Sequence, residues 1–351
     1  MTSVPNDKPA ACPVCKQADH SSFLMCKDGY DLYNCAECQH IFVWPIPTIE
    51  ALKSVYSFAN SYQVQGRTIY DENTVICEKM HESLKQIESF CPRRGRLLDV
   101  GCSSGKFLWL AKQHGWSSVC GVELNKDTAQ IANDNGLGVF VGELASADYP
   151  PSSFDSIHLG DVIEHVRDPA DLLSRVSALL QSDGVIVLVT PNHDALFPIL
   201  TFWLHRQLGM PWSHPTPPHH LNQFSDKSLD KLLQRVGLMT IHRQYQGCDL
   251  RYELGETHVL RSFRQALRER RLVLAAGRLL FAVFTAGAYT VIYGIDRCCV
   301  WKKKDFAMLF VVRKASCSGQ PSPSCAFVPD DAGLTSNTSS GMSATYRWNR
   351  F

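Results

Sequence analysis

Between Arg96 and Tyr245 short apolar runs alternate with stretches whose apolar residues recur every three to four positions, the pattern of a mostly parallel sheet covered by helices. The runs "RLLDV" (96–100), "SVCGVE" (118–123), "GVFVG" (138–142), "SIHLG" (156–160), "VIVLVT" (185–190) and "MTIHRQY" (239–245) predict strands. A last strand-like run, "FAMLFVVRK" (306–314), follows an apolar insertion. The intervening helices carry their own punctuation. One runs from Lys106 to His114 and stops at Gly115, and a second starts near Lys126 and ends near Gly136. A third is capped by Asp168 with Pro169 in its first turn and ends at Gly184, and a fourth is capped by Ser225 and closed at Gly237. Upstream, Ile76, Met80, Leu84 and Ile87 form one helical stripe.

Composition divides the 351 residues into a cysteine-rich start (1–44), a helical linker (45–94), the α/β region (95–314) with a basic and then apolar insertion (246–304), and a tail (315–351). The tail is rich in Ser, Pro and Gly, a composition expected to stay disordered. Lys and Arg (35) nearly balance Asp and Glu (34), so no net field argues for a nucleic-acid partner, and none is expected. The N-terminus lacks a basic stretch followed by an apolar core, so the 14 cysteines are expected to be reduced and the protein cytoplasmic.

Four of those cysteines form two knuckles, "CPVC" (Cys12, Cys15) and "CAEC" (Cys35, Cys38), separated by 19 residues. This is the spacing of a tetrahedral four-cysteine zinc ribbon, and a full set of protein ligands predicts structural Zn2+. Cys26, His20 and His40 are then spare.

The segment "LLDVGCSSGKFLWLAKQHG" (97–115) runs from strand through a small-residue turn into a helix, presenting free backbone N–H groups to a polar ligand. A dinucleotide turn needs a second glycine where Ser103 stands and a third where Lys106 stands; a phosphate-binding Walker turn needs a longer gap and a hydroxyl after its lysine. Neither pattern fits, which disfavours a dehydrogenase and an ATPase of that kind.

"LLDVGCSSG" resembles motif I of the class I S-adenosylmethionine-dependent methyltransferases, with serine in place of the middle glycine. The resemblance continues in order for about 150 residues through "GVELN", "SSFDSIHLGDVIEHVRDPADLL" and "SDGVIVLVTPN". It implies an α/β, Rossmann-like seven-stranded, mostly parallel sheet with helices on both faces and an antiparallel last strand, with S-adenosylmethionine as cofactor. It implies that Glu123 accepts hydrogen bonds from both ribose hydroxyls, in a cofactor site of Asp99, Gly101, Cys102, Ser103, Gly105, Glu123, Leu124, Glu143 and Asp161.

Ligands of open α/β sheets bind beyond the carboxyl ends of the strands. Asp161, Glu164, His165, His193, His219 and His220 occupy such positions. His165, His219 and His220 are the candidate catalytic residues, with a loop-holding role as the alternative. A base is needed if the acceptor is a hydroxyl. The expected acceptor is a small molecule, a glycan or a lipid-linked metabolite, methylated on oxygen in preference to carbon. A noncatalytic S-adenosylmethionine-binding protein is the alternative.

Within the insertion, Leu279 to Ile295 carries no charge and has basic flanks on both sides. A single membrane crossing would separate "FAMLFVVRK" from its sheet. Peripheral membrane association through 265–304 at the inner membrane face, a re-entrant hairpin, a dimer contact and a buried core helix remain open. Acceptor identity and oligomeric state are not encoded in any fixed spacing.

Overall fold

The computed structural model describes residues 9–52, 78–210, 212, 217–246, 259–269, 271–298 and 306–315. The predicted tail beyond residue 315, residues 53–77 of the linker, Ile76 among them, and the basic stretch 301–304 lie outside the described residues.

Strands β1 (Ser21–Lys27), β2 (Tyr30–Cys35) and β3 (Ile41–Val43) form an antiparallel meander in the N-terminal module. Helix α1 (Glu78–Phe90) follows, burying Leu84 and Ile87 of the predicted stripe. The α/β region then runs β4 (Arg96–Val100), α2 (Lys106–Gln113), β5 (Ser118–Glu123), α3 (Lys126–Asp134), β6 (Gly138–Val141), β7 (Phe154–Gly160), α4 (Pro169–Leu179) and β8 (Leu180–Pro191). After it come α5 (Leu196–Leu208), the two-residue β9 (Asn222–Gln223), α6 (Asp226–Arg235) and β10 (Leu238–Gln246). Helices α7 (Val259–Arg268) and α8 (Leu272–Cys298) fill the insertion, and β11 (Ala307–Lys314) closes the chain of elements.

The main sheet has seven strands in the order β10-β11-β8-β7-β4-β5-β6. Strands β4 to β8 run parallel, and β11 is antiparallel to both neighbours. This is the predicted fold class. Alternation along the strands serves two cores. Val185, Val187, Val189, Leu309 and Val311 face α1, α2 and α3, while Ile186, Leu188, Met308, Phe310 and Val312 face α4 and α6.

The helix punctuation follows the residues. Gly115, Gly136 and Gly237 take left-handed backbone just after their helices. Asp168 accepts from the N–H groups of Ala170 and Asp171, and Ser225 with Ser228 forms a reciprocal cap. One boundary differs from expectation: the helix expected to end at Gly184 stops at Leu179, and Leu180 to Gly184 already belong to β8. Leu180 pairs with Phe154, and a Cβ at Gly184 would sit 2.8 Å from the Asp155 carbonyl oxygen, so this glycine serves close strand approach and no helix cap.

The N-terminal meander does not end with itself. β9, from the loop between α5 and α6, pairs with β3 through Ile41–Gln223 and Phe42–Asn222. His40 is wholly buried there, with Nε2 3.1 Å from the Asn222 side-chain oxygen and its ring against Phe224. Arg235 donates to the carbonyls of Pro13 and Val14. The cysteine module and the main sheet therefore share one core.

The insertion packs differently. Ala275, Ala282, Thr285, Tyr289 and Ile292 of α8 are buried, a narrow seam at heptad-like spacing, with Tyr289 edge-on to Phe197 of α5. Many other side chains of α8 face outward, Val273 at 91% and Leu280 at 73% exposure, and Ile199, Trp203 and Leu208 of α5 are also exposed. β10 before the insertion and β11 after it pair over eight residue pairs, so α7 and α8 leave and return on one side of the sheet. The segment Leu272–Ile295 has the length and mean hydropathy, 1.7, of a membrane span, but this pairing excludes a single crossing.

Candidate active site

The turn after β4 is built by left-handed backbone at Gly101 (φ 74°), Ser103 (φ 50°) and Gly105 (φ 83°). At Gly105 a Cβ would lie 2.6 Å from Leu137 and 2.9 Å from Ala132, and at Gly101 it would lie 2.6 Å from Val162. Both positions demand glycine on space as well as backbone. Ser103 takes the same hand without that freedom, and its N–H donates to Glu123 at 2.8 Å.

Glu123, at the carboxyl end of β5, accepts from Ser103 N–H through one oxygen and from Asn125 N–H, at 2.8 Å, through the other. Burial holds its carboxyl above the usual range despite these bonds. Leu124 beside it is 62% exposed at the same rim. Gly142 N–H donates to the Glu123 carbonyl, which brings exposed Glu143 to the same rim.

Two residues implied for the cofactor site lie underneath it. Asp99 is 4% exposed and meets His158 Nδ1 at 2.8 Å, with the His158 ring stacked on Phe107. Cys102 is buried, and a Cβ on Gly121 would lie 2.6 Å from its sulfur, so its side chain points into the sheet and its backbone alone faces the turn. The Asp99–His158 pair had no sequence signal beyond a histidine in a buried strand.

The second half of the site is the segment after β7. Asp161 has left-handed backbone (φ 52°) and donates its N–H to the Val189 carbonyl. Three residues on, Glu164 is 1% exposed, and its Oε2 accepts from the Thr190 hydroxyl at 2.9 Å. Burial, reinforced by Asp161, drives its carboxyl well above the ordinary range. His165 donates Nδ1–H to the His219 carbonyl at 2.7 Å, and burial lowers its pKa, favouring neutral imidazole. The His220 ring stands edge-on to it at 4.8 Å. The histidine loop is pinned: Leu221 and Asn222 N–H both donate to the Glu164 carbonyl, and the Asn222 amide donates to Val166.

Of the residues at the strand ends, the structure thus gathers Glu164, His165, His219 and His220. His193 turns away, with Nε2 3.2 Å from the Gln39 carbonyl of the N-terminal module. A cleft lined by Ile41, Asn192, His193, Pro198, Gln223 and Phe306 opens between that module, the end of β8 and α5.

In the N-terminal module the sulfurs of Cys12 and Cys38 and those of Cys15 and Cys35 are each 3.6 Å apart, and all four lie within 4.8 Å of one another. Thiolates about 2.3 Å from a tetrahedral centre stand about 3.8 Å apart, so the four fit one metal ion.

A sheet of this order, a glycine turn after its first parallel strand and an acid at the end of the second define a nucleoside-binding α/β domain. Residues 70–243 match the family described as a methyltransferase domain, and a four-cysteine module lies ahead of that stretch. It is 26% identical over 126 residues to an uncharacterized protein of Methanocaldococcus jannaschii, covering 36% of this chain and 57% of that one. It is 31% identical over 150 residues to the ubiquinone biosynthesis O-methyltransferase of Alkalilimnicola ehrlichii, covering 39% and 58%. The chain spans about half the length of the curated relatives it matches. Among solved structures, the 1,6-didemethyltoxoflavin-N1-methyltransferase of Burkholderia thailandensis, with S-adenosylhomocysteine bound, superposes at a TM-score of 0.47 and 15% identity, covering 80% of this chain and 98% of that one.

Proposed function

We propose that the chain moves a methyl group from S-adenosylmethionine to a small-molecule, glycan or lipid-linked acceptor, on oxygen in preference to carbon. The observation that carries this reading is Glu123, a buried carboxylate braced by two backbone N–H groups at the lip of a turn that needs glycine twice. Each carboxylate oxygen keeps lone pairs beyond the one it uses, enough to accept from a pair of ribose hydroxyls. Gly101, Cys102, Ser103 and Gly105 offer backbone, Leu124 and Glu143 flank the base, and Asp161 closes the methionine end. Asp99 is a positioning residue, acting through the turn it supports.

The bound cofactor supplies an already activated methyl on a sulfonium. The protein's part is to align the acceptor and exclude water, worth roughly 7–11 kcal/mol in favourable cases. For a hydroxyl acceptor the proton leaves toward the cluster of His165, His219 and His220, beside the cofactor turn through the contact of Val162 with Gly101.

We assign structural Zn2+ to Cys12, Cys15, Cys35 and Cys38, because four protein ligands leave no position for water. The exposed faces of α5 and α8 are assigned to peripheral contact with the inner membrane face, by which a lipid-linked acceptor would reach the cleft beside α5.

Titration calorimetry with S-adenosylmethionine and S-adenosylhomocysteine tests the reading. Binding to the full chain and a loss of at least about tenfold, 1.4 kcal/mol, in Glu123→Ala is expected; a well-folded chain giving no heat with either compound overturns it. Binding without labelled-methyl transfer into any acceptor extract would instead support the noncatalytic reading.

A further inference from the structure

We infer that His158 is a binding residue for S-adenosylmethionine, its Nε2 accepting a hydrogen bond from the α-ammonium of the methionine portion. This deepens the methyl-transfer reading and rests on it. In the sheet, β5 and β6 lie on one side of β4, while β7 and β8 lie on the other, although β7 follows β6 in the chain. The boundary between β4 and β7 is therefore the topological switch point, where open α/β sheets leave a crevice for ligands. Asp99 and His158 pair across that boundary as the last rung of its ladder. Two residues past each stands a glycine, Gly101 and Gly160. With the ribose at Glu123 and the base beside Leu124 and Glu143, the methionine portion is left the β4 side, toward this crevice.

Both side chains are buried. A carboxylate can only accept, so the 2.8 Å bond to Asp99 puts a proton on Nδ1 of His158 and leaves the lone pair on Nε2. That nitrogen has no hydrogen-bond partner among the described residues and still reaches solvent. Two contacts fix where it points. The ring lies on Phe107 of α2 with centroids 3.9 Å apart. A Cβ at Gly160 would sit 2.6 Å from Cε1 and 3.1 Å from Nε2, so the outer edge of the ring fills the space that any side chain at residue 160 would take.

An acceptor backed by a carboxylate suits a cation that carries N–H groups. The α-ammonium is such a cation. The sulfonium has no hydrogen to donate, and the carboxylate of the methionine portion is repelled by Asp99. Asp99 is the positioning residue of the pair, setting the tautomer and the tilt of the ring without reaching the ligand itself.

The test is titration calorimetry of the full chain with S-adenosylmethionine, S-adenosylhomocysteine and the S-adenosylhomocysteine analogue that lacks the α-amino group. Wild type should bind the deamino analogue at least about tenfold more weakly than S-adenosylhomocysteine, the scale of a charge-assisted hydrogen bond. His158→Asn keeps an amide N–H for Asp99 and removes Nε2. Its affinity should fall about tenfold for S-adenosylmethionine and S-adenosylhomocysteine alike but less than about twofold for the deamino analogue, with its fold checked by thermal melting. Equal losses with all three ligands mark a structural role and overturn the inference, as does a folded variant with no loss. Loss confined to S-adenosylmethionine assigns the ring to the sulfonium and overturns it too. If His158→Asn does not fold, the wild-type comparison decides alone: a deamino analogue bound as tightly as S-adenosylhomocysteine overturns the ammonium contact. All of these outcomes leave the proposed methyl transfer standing. A wild-type chain that binds neither S-adenosylmethionine nor S-adenosylhomocysteine sinks that reading, and this inference with it.

Discussion

The two appendages to the seven-stranded sheet are attached in opposite ways. The cysteine module is stitched in by polar, directional contacts: β3 pairs with β9, His40 with Asn222, Arg235 with two carbonyls, His193 with Gln39. The α7–α8 insertion is joined by one apolar seam around Tyr289 and leaves most of its large side chains facing outward. Directional bonds fix a wall in register with the histidine loop. An apolar seam holds a helix in place but leaves its outer face available to another apolar phase.

Four experiments sharpen that contrast. The largest effect should follow removal of the metal, by chelation or by Cys35→Ser. Structural zinc is worth roughly 10–16 kcal/mol in small ribbons, so the module should unfold. Because β9 lies on β3, the histidine loop should shift with it. An ångström of misplacement can cost about a hundredfold, and kcat/KM should fall by about that much while S-adenosylmethionine affinity, set by the distant turn, changes little.

Next comes the insertion's own anchor. Tyr289→Ala should destabilise by about 3 kcal/mol in denaturant melts and release α8 from α5, without altering the spectroscopic signature of a metal in the cysteine site. A smaller loss, about 2 kcal/mol, is expected for Asn222→Ala, which strands buried His40 and the Val166 carbonyl; thermal melts should show it, with acceptor KM raised more than cofactor affinity lowered. Smallest for stability is Val273→Lys with Leu280→Lys, within about 0.5 kcal/mol each, since both are exposed. The same pair should abolish flotation with anionic vesicles if the outer face meets lipid; undiminished flotation would break the contrast.

How much was legible in the sequence differs along the same line. Caps and closures are local chemistry, and Asp168, Ser225, Gly115 and Gly237 declared themselves. That Glu123 ends β5 was legible because the end of a strand is itself a local signal. The helix boundary at Leu179 was not, because Leu180 enters β8 by pairing with Phe154 and "QSDG" after it carries no periodic signal. Nor were the pairs that depend on strand order: Asp99 with His158, His165 with His220, β3 with β9. Each joins residues more than 50 positions apart through a sheet whose order no single segment states. Two residues of β9 are too few to show any alternation at all.

The shared edge between β3 and β9 carries a practical lesson for protein engineering. A chain trimmed at residue 45 to isolate its catalytic part would lose the hydrogen-bonded neighbour of Asn222 and bare Phe224 to water. Exchanging the ribbon for that of another enzyme would fare no better unless residues 217–225 travelled with it, so the two segments form a single transplantable cassette although His40 and Asn222 stand 182 positions apart in the chain.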